Sequence, residues 1–294
     1  MTLYFGYGSN LDAEDWAGFC ARRGFAGARL EPLSTALLLD EALAFDRFAA
    51  SRQGGALNLR PAPGQAVEGV LFEANDAALA ALDAKEGAPF TCRRTPCHVV
   101  LPDGTVRAAM TYRAAPERFH RPHPHYLSVV RRGQAAHGIP HAMMEAAAED
   151  RPAPLTIAHL FVYGTLMEGE ANAHHLAGLP RLPGRIRAVL HDVGPYPAVR
   201  LGEGEVRGEV VELPLERLAG MDALEGAPPG GAPGGHYRRS VLPVATPRGV
   251  LRAYVYLMEE AARFPRIETG DWRSKPDRLA AWAAYAARTP EAER

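Results

Sequence analysis

The chain has 294 residues, a length that suits two domains better than one, and 47% of them are hydrophobic, enough to bury two modest cores. Its formal net charge is −1, and Lys85 and Lys275 are its only lysines, so no basic surplus argues for nucleic acid or an anionic membrane as a partner. No apolar run reaches the roughly 18 residues that a membrane-spanning helix needs.

Met1-Thr2-Leu3-Tyr4-Phe5-Gly6 reads as a strand that begins at once, without the charged leader of a signal peptide. It ends in the turn Tyr7-Gly8-Ser9-Asn10-Leu11. A strand follows over residues 66–73, then an apolar stripe at helical spacing that leads into Asp83-Ala84-Lys85-Glu86-Gly87. Residues 97–101 and 106–112 flank Asp103-Gly104 and read as a hairpin. A helical stretch closes at Ala148, and Pro152 and Pro154 forbid its continuation, which leaves an extended tether.

The same signals then recur in the same order. A strand over residues 160–162 ends in Tyr163-Gly164-Thr165-Leu166. Residues 206–213 repeat the strand, and a second stripe leads into Asp222-Ala223-Leu224-Glu225-Gly226. Residues 241–244 and 250–257 repeat the hairpin, and residues 279–285 read as a terminal amphipathic helix. Two matched motifs in matched order point to duplication, with domains over 1–145 and 157–294. Mixed strands with one short helix before each glutamate predict an α+β chain. Its form is two tandem small mixed β-barrels with short flanking helices; a doubly wound sheet needs more alternation of strand and helix.

Cys20, Cys92 and Cys97 are odd in number, and Cys92 and Cys97 fall on opposite faces of one strand. No disulfide framework is expected, and a reducing cytoplasm is the expected compartment. Glu86 and Glu225 are the candidate catalytic residues: a carboxyl in an apolar pocket binds its proton more tightly and can serve as base and then acid. The turns Tyr7 to Leu11 and Tyr163 to Leu166 are the candidate binding segments, since successive backbone N–H groups hold an oxyanion or a carboxylate. His120, His123 and His125 lie among prolines and read as surface loop, while Trp16, Trp272 and Trp282 read as packing.

The first half resembles the gamma-glutamylcyclotransferases. The resemblance rests on Tyr7 to Leu11, on Gly54-Gly55-Ala56-Leu57-Asn58-Leu59 before a Val-x-Gly strand, on the context of Glu86, and on the segment from Pro124 to Pro140. The second half is similar to the AIG2-like or gamma-glutamylamine cyclotransferase branch, through Tyr163 to Leu166, Gly194 to Ala198, Asp222 to Gly226, His236-Tyr237-Arg238-Arg239 and Gly270-Asp271-Trp272. It departs from that branch by a Pro/Gly-rich insertion over Ala227 to Gly235, beside the glutamate.

The resemblance implies the gamma-glutamylcyclotransferase fold and an enzyme that needs no cofactor and no metal. It implies a small γ-glutamyl compound as substrate, whose α-amine attacks its own γ-carbonyl to release 5-oxoproline. Glu86 and Glu225 would move the protons. Tyr7, Gly8, Ser9, Asn10, Leu11 and Tyr126 would bind substrate in one half, and Tyr163, Gly164, Thr165 and Leu166 in the other. Two alternatives stay open: a related acyl-transfer or deprotecting cyclisation in a biosynthetic pathway, or one catalytic copy beside one that only binds a metabolite. The sequence leaves open the leaving amine, whether the two sites share a substrate, and the oligomeric state.

Overall fold

The computed structural model of the chain describes residues 1–289. The chain divides into two compact units, Met1–Pro102 with Val106–Thr156, and Asp103–Thr105 with the residues from Ile157 onward. The end predicted for the second domain, residue 294, lies outside the described residues.

The first unit is a closed barrel of β1 (Thr2–Gly6), β2 (Leu30–Ala49), β3 (Gly54–Ala74), β4 (Cys92–Val100) and β5 (Val106–Ala114), in the order β1-β3-β2-β4-β5. Neighbours are antiparallel except β1 and β5, whose parallel pairing closes the ring. The second is a closed barrel of β6 (His159–Val162), β7 (Arg181–Asp192), β8 (Pro197–Glu212), β9 (Arg238–Thr246) and β10 (Gly249–Leu257). Its order, β6-β8-β7-β9-β10, repeats the first strand for strand, and β10 closes on β6 in parallel. The expected α+β pair of small mixed barrels is what the chain forms.

Short helices flank the strands: α1 (Ala13–Arg23), α2 (Asp76–Glu86), α3 (Pro124–Ala136) and α4 (Ala142–Ala148) in the first unit, and α5 (Leu215–Leu224) and α6 (Arg278–Ala286) in the second. Strand β1 is apolar from Leu3 onward and buried from Tyr4 to Gly6, where both its faces are covered. Phe5 packs with Leu38, Phe45 and Leu71 on one side, and Tyr4 packs with Phe72, Ala78 and Leu82 on the other.

Helix α2 begins where the Asn75 side chain accepts the Ala78 N–H, and it buries Ala78, Ala81 and Leu82, the spacing of one helical face. It stops at Gly87, whose φ of 69° is the left-handed cap that glycine adopts without strain. Glu86, the last helical residue, is thereby aimed over the end of β1. Helix α5 follows Pro214, buries Leu218 and Met221, and ends at Glu225 with Gly226 at φ 56°.

The strands run longer than the sequence patterns suggest. The segment read as a strand over 66–73 is the second part of β3, which pairs with β2 out to Ala49 and Gly54. Pro61, Pro63 and Gly64 lie within β3, and prolines argue against a strand interior. The register shift between Leu39 and Glu41 accommodates them, with Asp40 at φ 61° and its Oδ1 accepting the Gly64 N–H at 2.8 Å. Among the described residues no helix is long and apolar enough to cross a membrane.

Candidate active sites

In the first barrel β1 delivers Tyr7 to a single tight helical turn, Ser9–Leu11, whose three residues are all buried. The Asn10 side-chain amide donates to the Tyr4 hydroxyl at 2.9 Å and to Glu86 Oε1 at 3.0 Å. Arg47 Nη2 stands 3.7 Å from Glu86 Oε2, and the Cys92 thiol donates to the same oxygen at 3.9 Å. The Tyr126 hydroxyl, carried inward by α3, accepts the Leu57 N–H at 3.4 Å, and the Arg52 guanidinium lies 5.3 Å from its ring centre. Burial, then the charge of Glu86, pushes the Tyr4, Tyr7 and Tyr126 hydroxyls above their ordinary values, so they stay protonated.

These groups enclose a cavity of about 190 Å³ lined by Tyr7, Gly8, Ser9, Asn10, Glu86 and Tyr126. Leu11 is not in that lining. One residue beyond Asn10 on a tight turn, it faces away and packs with Trp16 and Leu82 in the core. Nor does the fold demand glycine at position 8: a Cβ there would meet the Tyr126 hydroxyl at 3.6 Å, an ordinary contact.

Arg22, Arg47, Arg52 and Lys85 give this cavity a cationic rim that the sequence reading missed. Asp15 organises part of it, accepting from Arg52 at 2.9 and 2.7 Å and from Lys85 at 2.8 Å. Burial acts to raise the Asp15 carboxyl, but Arg52 and Lys85 outweigh it and hold it down at about 2. A carboxyl depressed on folding stabilises the fold fully above its unfolded value near ~4 and loses that contribution as the pH falls through the folded value. Thermal unfolding followed from about pH 5 to 2 is therefore expected to show a stability loss that is smaller in Asp15→Asn. An identical acid slope in the variant would contradict this assignment.

The second barrel repeats the arrangement with different chemistry. A cavity of about 290 Å³ is lined by Tyr163, Gly164, Thr165, Leu166 and Glu225. Here glycine is required, because a Cβ at 164 would sit 2.5 Å from Pro197 Cγ. The Tyr163 hydroxyl donates to the Tyr256 carbonyl at 2.7 Å, as the Tyr7 hydroxyl does to the Tyr112 carbonyl at 2.8 Å. Leu166 occupies the place of Asn10, so no amide reaches the glutamate. Among the described residues no side chain hydrogen-bonds or ion-pairs with the Glu225 carboxylate. Burial, and then the charge of Asp222, pushes its carboxyl up to about 7.

Among the described residues no lysine or arginine lines this second cavity; Tyr196, His236, Tyr237, Trp282 and Tyr285 form part of its wall. Trp282, expected to serve packing, lies in the cavity lining because α6 lays its Trp282–Tyr285 face there. The insertion Ala227 to Gly235 is absent from the lining. Its ends are pinned together where the His236 N–H meets the Gly226 carbonyl at 3.1 Å and the Tyr237 N–H meets the Glu225 carbonyl at 3.2 Å. The histidines read as surface loop have local partners: His123 caps α3 by accepting the His125 N–H at 3.1 Å, and His120 lies 3.0 Å from Glu117 Oε2. Among the described residues no cluster of three His, Cys, Asp or Glu side chains is placed to hold a metal ion.

A half-buried glutamate shares one small cavity with a Tyr-Gly turn, and this pairing occurs twice, once in each small closed barrel. Residues 160–274 match the family model described as gamma-glutamyl cyclotransferase, AIG2-like, and residues 66–146 match that of the AIG2-like family. A Vibrio cholerae relative provisionally named a gamma-glutamylcyclotransferase is 35% identical over 117 residues, 38% of this chain and 93% of its own length. The Escherichia coli K12 gamma-glutamylcyclotransferase family protein YtfP is 34% identical over 116 residues, 38% of this chain and 94% of its own. A solved structure titled gamma-glutamyl cyclotransferase covers 53% of this chain and 90% of that one at 24% identity, with a TM-score of 0.44. The chain belongs to the gamma-glutamylcyclotransferase family, with two family domains in tandem.

Proposed function

We propose that each barrel releases 5-oxoproline from a γ-glutamyl compound, without cofactor. The supporting observation is that in each barrel the glutamate lines one cavity together with the Tyr-Gly turn that would hold the substrate; in the first, Asn10 also holds Glu86 Oε1 at 3.0 Å. The substrate's α-amine is protonated at neutral pH and must lose that proton before it can attack. The carboxylate accepts it, and the amine nitrogen then bonds to the γ-carbonyl carbon while the carbonyl π pair moves to oxygen. The turn's N–H groups offset that charge. The glutamic acid gives its proton to the leaving nitrogen as the oxyanion pair re-forms the carbonyl and the C–N bond breaks, and the carboxylate so freed takes the second proton from the ring nitrogen. Atoms balance without water: one γ-glutamyl amide gives one 5-oxoproline and one amine. The attack is intramolecular, so holding the chain folded over supplies much of the rate. Tyr126 is suited to anchor the substrate carboxylate in the first cavity, beside Arg52.

The two linings favour different leaving groups. Four cations round the first cavity suit a leaving amine that carries a carboxylate, as amino acids and peptides do. The aromatic second cavity, with no lysine or arginine among the described residues of its lining, suits a leaving amine without one. The test is a panel of γ-glutamyl amino acids, dipeptides and alkylamines assayed for 5-oxoproline with the full chain and with Glu86→Gln and Glu225→Gln. Carboxylate-bearing substrates are expected to depend on Glu86, and amine substrates on Glu225. No 5-oxoproline from any member would count against the reading.

A further inference from the structure

In each barrel one tyrosine holds the turn with its main chain and the glutamate helix with its side chain. The Tyr112 carbonyl accepts the Tyr7 hydroxyl, and the Tyr112 hydroxyl donates to Asp83 Oδ1 at 2.7 Å. The Tyr256 carbonyl accepts the Tyr163 hydroxyl, and the Tyr256 hydroxyl donates to Asp222 Oδ1 at 2.8 Å. An arginine holds the same aspartate from the other strand of the hairpin. Arg94 reaches Asp83 at 2.8 and 2.6 Å, and Arg239 Nε lies 3.1 Å from Asp222 Oδ1. The two pairs occupy one register, Arg94 opposite Tyr112 and Arg239 opposite Tyr256.

Each aspartate stands three residues before its glutamate, in the last turn of its helix, where neighbouring positions share a face. A negative charge there is disfavoured by the helix dipole, so helix stability does not account for an aspartate at this place. Its partners do: they join the helix to the strand that also grips the turn tyrosine.

We propose that Tyr112 and Tyr256 are positioning residues, each fixing the distance between its glutamate and its substrate turn through the aspartate of the Asp-x-x-Glu segment. The inference rests on the cyclotransferase reading above. In the second barrel the arrangement also sets the charge around the glutamate. Glu225 is faced by Asp222 on its own helix and by Tyr163, Tyr196, Tyr237, Tyr256 and His236 from the surrounding elements. Burial, and then mainly neighbouring negative charge, keeps those tyrosines protonated, while burial pushes His236 below its ordinary value. Besides burial, Asp222 is the neighbouring charge that raises the Glu225 carboxyl, and Arg239 and the Tyr256 hydroxyl hold it in place.

The experiment uses the full chain and the substrate whose turnover Glu225→Gln removes. Tyr256→Phe, Asp222→Asn and Glu225→Gln are compared by kcat and KM from pH 5 to 9, with thermal unfolding recorded for each. Tyr256→Phe is expected to lower kcat ten- to a hundredfold with little change in KM, the scale of a glutamate displaced by about 1 Å. Asp222→Asn is expected to shift the acid limb of kcat/KM part of the way to lower pH, since burial still raises the Glu225 carboxyl but the charge that adds to it is gone. A part that only stabilises the fold would lower the melting temperature and leave the acid limb in place. An unmoved limb, or full kcat in Tyr256→Phe while Glu225→Gln is inactive, overturns the inference and leaves the cyclotransferase reading standing. If no substrate loses turnover in Glu225→Gln, that reading falls for the second barrel and the positioning role of Tyr256 falls with it.

Discussion

Glu86→Gln and Glu225→Gln are each expected to cut turnover in their own cavity by a factor on the order of 10²–10⁴, the usual worth of a positioned general base. The amide is nearly isosteric with the carboxylate, and in Glu86→Gln its carbonyl oxygen can still accept from Asn10, so folding and ligand binding should survive. What the amide cannot do is take a proton from the substrate's ammonium. Each glutamate is bracketed by side chains of its own barrel, so the two losses should be separable: substrates served by one cavity lose turnover with one variant and keep it with the other. The pH profiles should differ as well. Glu225 must be unprotonated to act as base, and with its carboxyl raised to about 7 the activity of the second cavity should climb as the pH rises through neutrality. Loss of all activity in Glu86→Gln with none in Glu225→Gln would make the second barrel a binder or scaffold. Full 5-oxoproline release in both variants would remove the base assignment in both.

The parts of these sites visible in the sequence are those made by local chain geometry. A strand ending in Tyr-Gly, and a helix ending in Glu-Gly with the glycine left-handed, are written in consecutive residues, and they recur in order. The parts that were hidden are brought together only when the barrel closes. Arg47 comes from the far end of β2 and Arg52 from the connection to β3, and nothing near Glu86 in sequence announces them. Trp282 and Tyr285 reach the second cavity from a terminal helix that reads as ordinary packing. The Arg-Tyr register was available in part: Arg93-Arg94 and Arg238-Arg239 each follow their Glu-Gly, but the tyrosine opposite is fixed by hairpin pairing rather than by spacing. Leu11 shows the converse, a motif residue that serves the core although it stands next to a cavity-lining asparagine.

Gly69→Ala and Gly208→Ala should be strongly damaging single-methyl additions to their barrels, in stability and in activity together. Both glycines belong to the Val-x-Gly strands, directly beyond the pairs Gly6 with Val70 and Val162 with Glu209 that end the pairing to the first strand. A Cβ at 69 would lie 2.4 Å from the Gly6 carbonyl oxygen and 2.6 Å from Phe5 Cζ; at 208 it would lie 2.2 Å from the Val162 oxygen and 2.6 Å from Phe161 Cζ. In each case the nearest atom is backbone, so rotating a side chain cannot relieve the contact and the first strand must move. Overpacking of a close-packed interior costs about 1–3 kcal/mol and more where backbone must shift, and about 3 kcal/mol lowers the melting temperature of a domain of this size by roughly 10 °C. The displaced strand is the one that carries Tyr7 or Tyr163 into the turn, so the surviving folded protein should also turn over more slowly, with KM raised. Differential scanning calorimetry and steady-state kinetics on the two variants test this. Gly8→Ala is the internal control for stability, since its Cβ meets nothing closer than 3.6 Å. Melting temperatures for Gly69→Ala and Gly208→Ala within a degree or two of the unsubstituted chain would show that the first strand is not held against these glycines.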